Sequence, residues 1–148
     1  MKRQWHIREA VAEDSVGLQT CMQSAYALYQ ERMGGARLPP MDQDYETEIR
    51  DYPTWVAVLD GEVVGGLIMM FENDHALIAN IAVDPRYQGQ GLGGGLIEFA
   101  ELTASEKGYS RLRLATHVLL TENLSLYCHL GWSEYDRDEV RIYMEKKI

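Results

Sequence analysis

The sequence is poor in cysteine and contains no long hydrophobic run. Its 148 residues include two cysteines, Cys21 and Cys128, too few for the disulfide framework of a small secreted domain, so a reducing compartment is predicted. No apolar stretch approaches the roughly 18 residues that a membrane-spanning helix needs. The N-terminal residues also lack the apolar segment of a signal peptide. We therefore expect a soluble, cytoplasmic protein with no membrane partner.

Positive charge is also scarce. The chain has 14 lysines and arginines against 23 aspartates and glutamates, a net charge of −9. Because no basic surface is available to neutralise phosphates, we expect no nucleic-acid partner. Between positions 41 and 51 the acidic residues are Asp42, Asp44, Glu46, Glu48 and Asp51, against Arg50 alone. This segment is either a solvated face or a negative rim that attracts a cationic substrate.

Length and composition indicate an ordinary globular protein. Apolar residues make up 46% of the chain and charged residues 25%, a balance that is typical of globular domains. A chain of 148 residues is long enough to bury a core and too short for two domains of usual size. We predict a single domain over residues 1–148.

Hydrophobic periodicity and turn residues predict the secondary structure. Strands are predicted over residues 4–8, 55–59, 63–71, 76–83, 111–116 and 139–146, and helices over 13–30, 41–51, 91–107 and 121–130. One further strand is predicted near Trp132. Asp60-Gly61 between two apolar runs is a strong hairpin signal, and Asn73-Asp74 predicts the next turn. The pattern therefore predicts a mixed α/β layer in which three antiparallel strands precede residue 84.

Two of the helices are predicted to carry an apolar face. In the first helix this face is formed by Val16, Cys21, Ala25 and Leu28, and in the third by Leu92, Leu96, Phe99 and Leu102. Both sets follow the spacing of one side of an α-helix.

The most informative stretch is glycine-rich. Residues 88–95 contain five glycines among eight residues, directly after a strand that Asp84-Pro85 ends and at the start of a helix. Glycines let a ligand approach the backbone closely, and the first N–H groups of a helix point at an anion. The three successive glycines at 93–95 each cost helix stability, about 0.5–1 kcal/mol relative to alanine. The stretch therefore predicts a phosphate-binding loop whose backbone another group approaches.

Two other phosphate-binding folds fit the sequence poorly. Residues 89–94 satisfy the dinucleotide pattern GxGxxG, but a hairpin precedes them instead of a parallel βαβ unit. Arg111 stands where that fold wants a ribose-binding acid, about 20 residues further on. A nucleotide-hydrolysing P-loop is excluded because no Gly-Lys-Ser/Thr follows the glycines.

Two motifs resemble the GCN5-related N-acetyltransferase (GNAT) superfamily. Its acetyl-CoA-binding motif reads Gln or Arg, two residues, Gly, one residue, Gly or Ala, and is matched by Gln88, Gly91 and Gly93. Its second signature places a tyrosine four residues before a glycine and an aromatic, as in Tyr127 and Gly131-Trp132. The predicted element order is similar to that family throughout. The resemblance implies a mixed, mostly antiparallel central sheet flanked by helices on both faces.

The same resemblance implies where acetyl-CoA binds. Backbone N–H groups from residue 88 to residue 93 would hold the pyrophosphate, and the strand end at 81–83 would lie beside the thioester carbonyl. The implied cofactor-binding residues are Ile81, Ala82, Val83, Gln88, Gly89, Gln90, Gly91, Leu92, Gly93 and Asn123. One position departs from the family pattern. Leu120 stands seven residues before Tyr127, where members often carry asparagine, so Asn123 is kept only as a weak cofactor contact.

The catalytic residues follow from what amine acetylation requires. Tyr127 is the best candidate for general acid, because a phenol with a pKa near ~10 is protonated at neutral pH and can donate to a thiolate. Cys128 is adjacent, should face away from Tyr127, has no paired base and is interpreted as structural. The general base is left open. Its candidates are Asn80 through a water molecule, His117, and Glu31 or an acidic residue between 42 and 48.

The implied function is the direct transfer of an acetyl group from acetyl-CoA to an amine in a ternary complex. The alternative is a catalytically idle acyl-CoA-binding regulatory module on the same fold, because a fold does not establish catalysis. The acceptor is expected to be a cationic small-molecule or peptide amine. Tyr26, Tyr29 and Tyr45 lie in segments that cover the acceptor site in the family, so they are either walls of a substrate pocket or ordinary packing residues. A homodimer is compatible with the family. No metal site is predicted, and His75 and His129 are expected to have no role.

Overall fold

The computed structural model describes residues 4–148 and contains seven strands and four α-helices. The strands are β1 (His6–Glu9), β2 (Thr54–Leu59), β3 (Glu62–Phe71), β4 (Ala76–Val83), β5 (Arg111–His117), β6 (Ser133–Arg137) and β7 (Arg141–Lys147). The helices are α1 (Ser15–Gln30), α2 (Tyr45–Asp51), α3 (Leu92–Glu106) and α4 (Thr121–His129). None of the helices in residues 4–148 is both long enough and apolar enough to cross a bilayer.

The strands form one sheet in the order β1-β2-β3-β4-β5-β7-β6. Every neighbouring pair is antiparallel except β4 and β5, which run parallel. The parallel pairing is short: it joins Ala76 to Leu112 and Leu77 to Arg113. Beyond Leu77 the edge of β4 that faces β5 has no strand partner among residues 4–148. The sheet therefore opens between the carboxyl ends of two parallel strands, a common place for ligand sites in α/β proteins.

Helices cover both faces of the sheet. Alternate residues of β2 point to opposite sides: Trp55 and Ala57 pack with the core under α3, and Val56 and Val58 with the core under α1. This two-sided burial explains why β2 reads as a continuous apolar run instead of an alternating one. The predicted mixed, mostly antiparallel sheet with helices on both faces is confirmed.

Both predicted helix faces are wrong at their ends. Val16 and Leu28 are 74% and 54% exposed, while Leu18 and Met22 are buried. In α3 the outlier is Leu102, which is 57% exposed. There the buried face follows a strict four-residue spacing, formed by Leu92, Leu96, Ala100 and Ala104, with Ile97 beside it. The C-terminal end of the buried face is formed by alanines. A search for large apolar side chains does not detect them.

Most predicted boundaries agree with the structure to within two or three residues. The second helix begins at Tyr45 instead of residue 41, because Pro39–Met41 forms a separate 3-10 turn and Asp44 caps α2 by accepting the Thr47 N–H. The last strand begins at Arg141 instead of residue 139. The further strand predicted near Trp132 is β6.

Candidate active site

The glycine-rich loop leaves the first N–H groups of α3 unpaired within the helix. Asp84 ends β4 by accepting the Arg86 N–H at 3.0 Å. Gly89 and Gly91 then adopt left-handed backbone angles, with φ of 82° and 81°, which only glycine adopts at little cost. The first bond of the helix runs from the Gly95 N–H to the Gly91 carbonyl at 2.9 Å. The N–H groups of residues 92–94 precede this bond and point out of the helix N-terminus. The helix dipole favours an anion at that position.

A cavity of about 380 Å³ lies in front of this loop, between α1, α4 and the end of β4. We call it the loop cavity. Eight of the ten predicted cofactor-binding residues line it: Ile81, Ala82, Val83, Gln88, Gly89, Gly91, Gly93 and Asn123. Of the other two, Gln90 is exposed on the loop, and the side chain of Leu92 is buried in the core at 1% exposure. A role for these two residues in cofactor binding stays a prediction.

The three successive glycines of α3 have different surroundings. A Cβ atom added at Gly95 would overlap the ring of Trp5, so this glycine makes room for a side chain of the protein itself. A Cβ at Gly93 would meet only Val83, at 3.9 Å, and one at Gly94 would meet nothing within 4 Å. Gly93 and Gly94 both line the loop cavity. At Gly95 the group that approaches the backbone is therefore the Trp5 ring of the protein itself. At Gly93 and Gly94 the backbone is open to a ligand.

A second cavity, of about 420 Å³, lies where the sheet opens between β4 and β5. We call it the sheet cavity. Its walls come from α1, the segment before α2, α2 itself, α4, and the strands β3, β4, β5 and β7. Most of the lining is apolar, including Ile68, Met70, Ile78 and Leu114. The polar and charged side chains among it are Gln43, Glu48, Asn80, Thr116, His117, Asn123 and Arg141.

The two cavities meet at four residues. Tyr26, Ile81, Asn123 and Tyr127 line both of them. Tyr26 comes from α1, Ile81 from β4, and the other two from α4. A ligand bound in the loop cavity and a ligand bound in the sheet cavity would therefore come together beside the Tyr127 side chain.

Tyr127 is held as a neutral phenol. It is 7% exposed, and its ring lies against Trp132 with the ring centroids 6.1 Å apart. Within residues 4–148 the phenol hydroxyl has no hydrogen-bond partner, so it is available to a ligand. Burial, with a smaller contribution from Tyr29, raises the pKa of Tyr127 to about 12. The side chain is therefore a proton donor throughout the neutral range.

The hydrogen bonds of Asn80 and His117 limit what these side chains can do. The Tyr26 hydroxyl donates to Asn80 Oδ1 at 3.1 Å, which ties Asn80 to the wall that both cavities share. The Leu119 N–H donates to His117 Nδ1 at 3.1 Å. A neutral imidazole that accepts at Nδ1 carries its proton at Nε2. His117 is thus arranged as a hydrogen-bond donor to the sheet cavity instead of as a base.

Glu48 is the carboxylate that the structure brings to the sheet cavity. It is half-buried, and no ion pair involves it among the described residues. Burial raises the pKa of Glu48 above its ordinary value, and the neighbouring charges of Asp51 and Asp44 add to this. Glu31 is exposed and lines neither cavity. Of the acidic base candidates, Glu48 is the one that a ligand in the sheet cavity would meet.

Residues 22–132 match the model of the Acetyltransferase (GNAT) family. The chain belongs to the GNAT acetyltransferase family. This match covers both motifs, the glycine-rich loop and the segment from Tyr127 to Trp132, and the elements of both cavities from the second half of α1 to α4, whereas β7 lies beyond it.

Two bacterial relatives extend the comparison. An uncharacterized N-acetyltransferase, YjgM of Escherichia coli K12, is 32% identical over 103 residues, which are 66% of this chain and 62% of the relative. The [ribosomal protein bS18]-alanine N-acetyltransferase of the same organism is 35% identical over 75 residues, 51% of each chain. The chain thus matches between half and two thirds of the length of these relatives.

Solved GNAT structures share the fold. A PaiA N-acetyltransferase of Thermoplasma acidophilum, in complex with coenzyme A, superimposes with a TM-score of 0.86 at 21% identity, covering 98% of this chain and 99% of that one. The Escherichia coli ribosomal-protein-S18-alanine N-acetyltransferase gives a TM-score of 0.75 at 23% identity over 98% and 94%. At these identities the likeness is one of fold.

Several lining residues of this GNAT chain were missed by sequence reasoning. They are Ala25, Gly94, Ile97, Glu122 and Leu126 in the loop cavity and Arg141 in the sheet cavity. Gly94 and Leu126 stand within the two motifs and could have been included. The others come from different elements and carry no local signal.

The sequence also singled out three residues that lie outside both cavities, Cys128, His75 and Tyr45. Cys128 is exposed and Tyr127 buried, as expected for neighbours that point apart on a helix, and the absence of a catalytic role for Cys128 stays a prediction. His75 pairs with Asp74 at 2.7 Å, away from both cavities. Tyr45, expected beside the acceptor, lines neither cavity and donates its hydroxyl to the Pro40 carbonyl.

Proposed function

We propose that the protein is an acetyl-CoA-dependent N-acetyltransferase that transfers the acetyl group directly to an amine within a ternary complex. The observation that carries the proposal is the meeting of the two cavities at Tyr127. One cavity suits the cofactor and the other the amine. Both can therefore be bound at once, with the reacting atoms between them.

The residues of the loop cavity suit the coenzyme. The unpaired N–H groups of residues 92–94 and the left-handed Gly89 and Gly91 provide a cradle for a pyrophosphate. The free edge of β4 beyond Leu77 can pair with an extended amide-containing arm. The coenzyme A bound to the Thermoplasma acidophilum neighbour supports the same ligand here. When bound, acetyl-CoA supplies the acetyl group as a thioester.

Residues of the protein then assist the two proton transfers, Glu48 in the sheet cavity and Tyr127 where the two cavities meet. Glu48 takes a proton from the bound ammonium, which must be neutral before it attacks. Backbone N–H groups near Ile81–Val83 stabilise negative charge on the carbonyl oxygen. Tyr127 donates a hydrogen bond to the sulfur as the carbon–sulfur bond breaks, and the second proton of the attacking nitrogen passes to the thiolate, so that the products are an amide and the coenzyme thiol. Because burial raises the pKa of this phenol, Tyr127 acts first as a hydrogen-bond donor that stabilises the thiolate.

The acceptor is a molecule with a primary amine that is cationic in solution. Glu48 provides the charge complement inside the sheet cavity, and the acidic residues of α2 surround it. Asn80, tied to Tyr26, can hold a water molecule that connects the amine to Glu48.

The test is an assay of acetyl-CoA consumption over a panel of small amines and short peptides, followed by initial rates with both substrates varied. Direct transfer predicts intersecting double-reciprocal lines, and parallel lines would indicate an acetylated enzyme instead. A protein that binds acetyl-CoA and acetylates no amine would be the idle regulatory module.

A further inference from the structure

Arg141 differs from nearly all other arginines of the chain. Seven arginines form ion pairs with carboxylates, namely Arg8, Arg32, Arg37, Arg50, Arg86, Arg113 and Arg137. Among the described residues only Arg111 and Arg141 have no such pair. Arg111 lines neither cavity, whereas Arg141 lines the sheet cavity. Arg141, an exposed residue of the cavity lining, is thus one of two described arginines without an ion pair, and its charge acts only at longer range to lower the pKa of Asp138.

Asp138, three residues before Arg141, uses both of its carboxylate oxygens for other hydrogen bonds. Asp138 Oδ1 accepts the N–H groups of Val140 and Arg141 at 2.8 and 2.7 Å. Its Oδ2 accepts the Tyr143 hydroxyl at 3.2 Å. These bonds fix the turn into β7, so Asp138 interacts with the Arg141 guanidinium through its charge and not through a side-chain hydrogen bond, and the guanidinium donors can bind a ligand.

His117 adds a second donor on the same wall. His117 and Arg141 are direct partners in the β5–β7 register, and both line the sheet cavity. Because His117 Nδ1 accepts the Leu119 N–H, its other nitrogen carries the proton and donates. An imidazole N–H beside a guanidinium is an arrangement that suits a carboxylate.

Glu48 approaches the cavity from the opposite side. Its carbonyl accepts the Thr54 hydroxyl at 3.5 Å, which ties α2 to the start of β2. Thr54 pairs with Ile68, and Ile68 with Asn80, so Glu48 belongs to the β2-β3-β4 side of the opening. Arg141 and His117 belong to the β5-β7 side. The cavity thus has a carboxylate on one wall, cationic and neutral donors on the other, and mainly apolar side chains between.

We propose that the acceptor is an amino acid or a similar small zwitterion, with its ammonium at Glu48 and its carboxylate at Arg141 and His117. This rests on the proposed acetyltransferase function and narrows its acceptor. A simple cationic amine would leave the Arg141 guanidinium unpaired and like-charged beside it, whereas a zwitterion complements both walls and covers the apolar lining with its carbon chain.

The experiment compares matched acceptors. Steady-state kcat/KM is measured for linear amino acids of increasing chain length, for their neutral amides and for the alkylamines that lack the carboxyl group. At the best length the acid is expected to exceed its amide by at least about tenfold, the usual effect of a charge-assisted hydrogen bond. Equal values for acid and amide at every length would overturn the inference.

Two variants locate the effect. Arg141→Gln should remove the preference for the acid and leave kcat/KM for the amide nearly unchanged. Arg111→Gln, the other unpaired arginine, should keep the wild-type preference. If both variants keep it, or if Arg141→Gln lowers acid and amide alike, the inference is wrong. If no amine of any kind is acetylated, the proposed function itself fails, and that outcome is distinct from acetylation without regard to the carboxylate.

Discussion

The loop cavity and the sheet cavity are of similar volume, about 380 and 420 Å³, but they are built differently. The loop cavity depends on backbone: glycines, free N–H groups and an unpaired strand edge, most of it within residues 81–94. The sheet cavity depends on side chains from separate parts of the chain, namely four strands, three helices and the segment before α2. Under the proposed function, the cofactor is therefore held largely by the backbone of one short segment, whereas the acceptor is held by side chains such as Glu48 and Arg141 that come from distant parts of the chain.

The largest expected effect is on the backbone side of this comparison. Gly93 has space for a side chain and an ordinary helical φ, so Gly93→Leu should fill the loop cavity without disrupting the fold. Coenzyme A should then raise the melting temperature of the wild type but not of the variant, as expected for a loss of affinity of about 100-fold or more. Glu98→Leu, on the exposed side of the same helix, is the control. A normal shift in Gly93→Leu would remove the loop cavity from cofactor binding.

The next effect concerns the junction. Tyr127→Phe keeps the ring against Trp132 and removes the hydroxyl, so kcat should fall by roughly 10²-fold, as for loss of a general acid, while the KM for acetyl-CoA stays nearly constant. Tyr135→Phe on the exposed β6 is the matched control. An unchanged kcat would reduce Tyr127 to a packing residue.

On the side-chain wall, Glu48→Gln should lower kcat/KM by about 10²-fold and leave coenzyme A binding intact. The wild-type rate should fall as the pH drops through the raised pKa of Glu48, since the base must be ionised, and this acid limb should vanish in the variant. Glu46 lies on the same helix and is exposed, so the Glu46→Gln variant serves as the control. A variant that keeps the wild-type pH profile would contradict the assignment of the base.

The smallest expected effect is on stability, at the start of α1, the helix that contributes to both cavities. Asp14 is 8% exposed and accepts two bonds from Arg8, at 2.8 and 2.9 Å, and one from the Val11 N–H at 2.8 Å. Asp14→Asn should therefore lower the free energy of unfolding by about 1–3 kcal/mol, whereas Glu13→Gln, beside it and exposed, should change it little.

The pH dependence has a definite sign. The Arg8 guanidinium lowers the pKa of Asp14, so the stabilisation is complete above the unfolded value near ~3.9 and is lost as the pH falls through the lower folded value. Urea unfolding at several pH values would measure this. A difference between wild type and Asp14→Asn that persists undiminished at low pH would show that the ion pair is not its source.

The contrast also explains what could be predicted from the sequence. The glycine-rich loop, the Asp60-Gly61 hairpin and most strands follow from local rules, because turn residues and period-two patterns need no knowledge of the fold. The sheet cavity could not be predicted in this way, because Glu48, His117 and Arg141 line one cavity only where β4 and β5 separate in the folded sheet. Local spacing also misplaced Leu102, because the core face of α3 is completed by alanines.

The central claim is that the loop cavity binds the coenzyme, and isothermal titration of the wild-type protein with acetyl-CoA tests it most directly. The account predicts saturable binding of one molecule per chain, retained in Glu48→Gln and lost in Gly93→Leu. The absence of binding heat at several temperatures, or equal binding by wild type and Gly93→Leu, would contradict it.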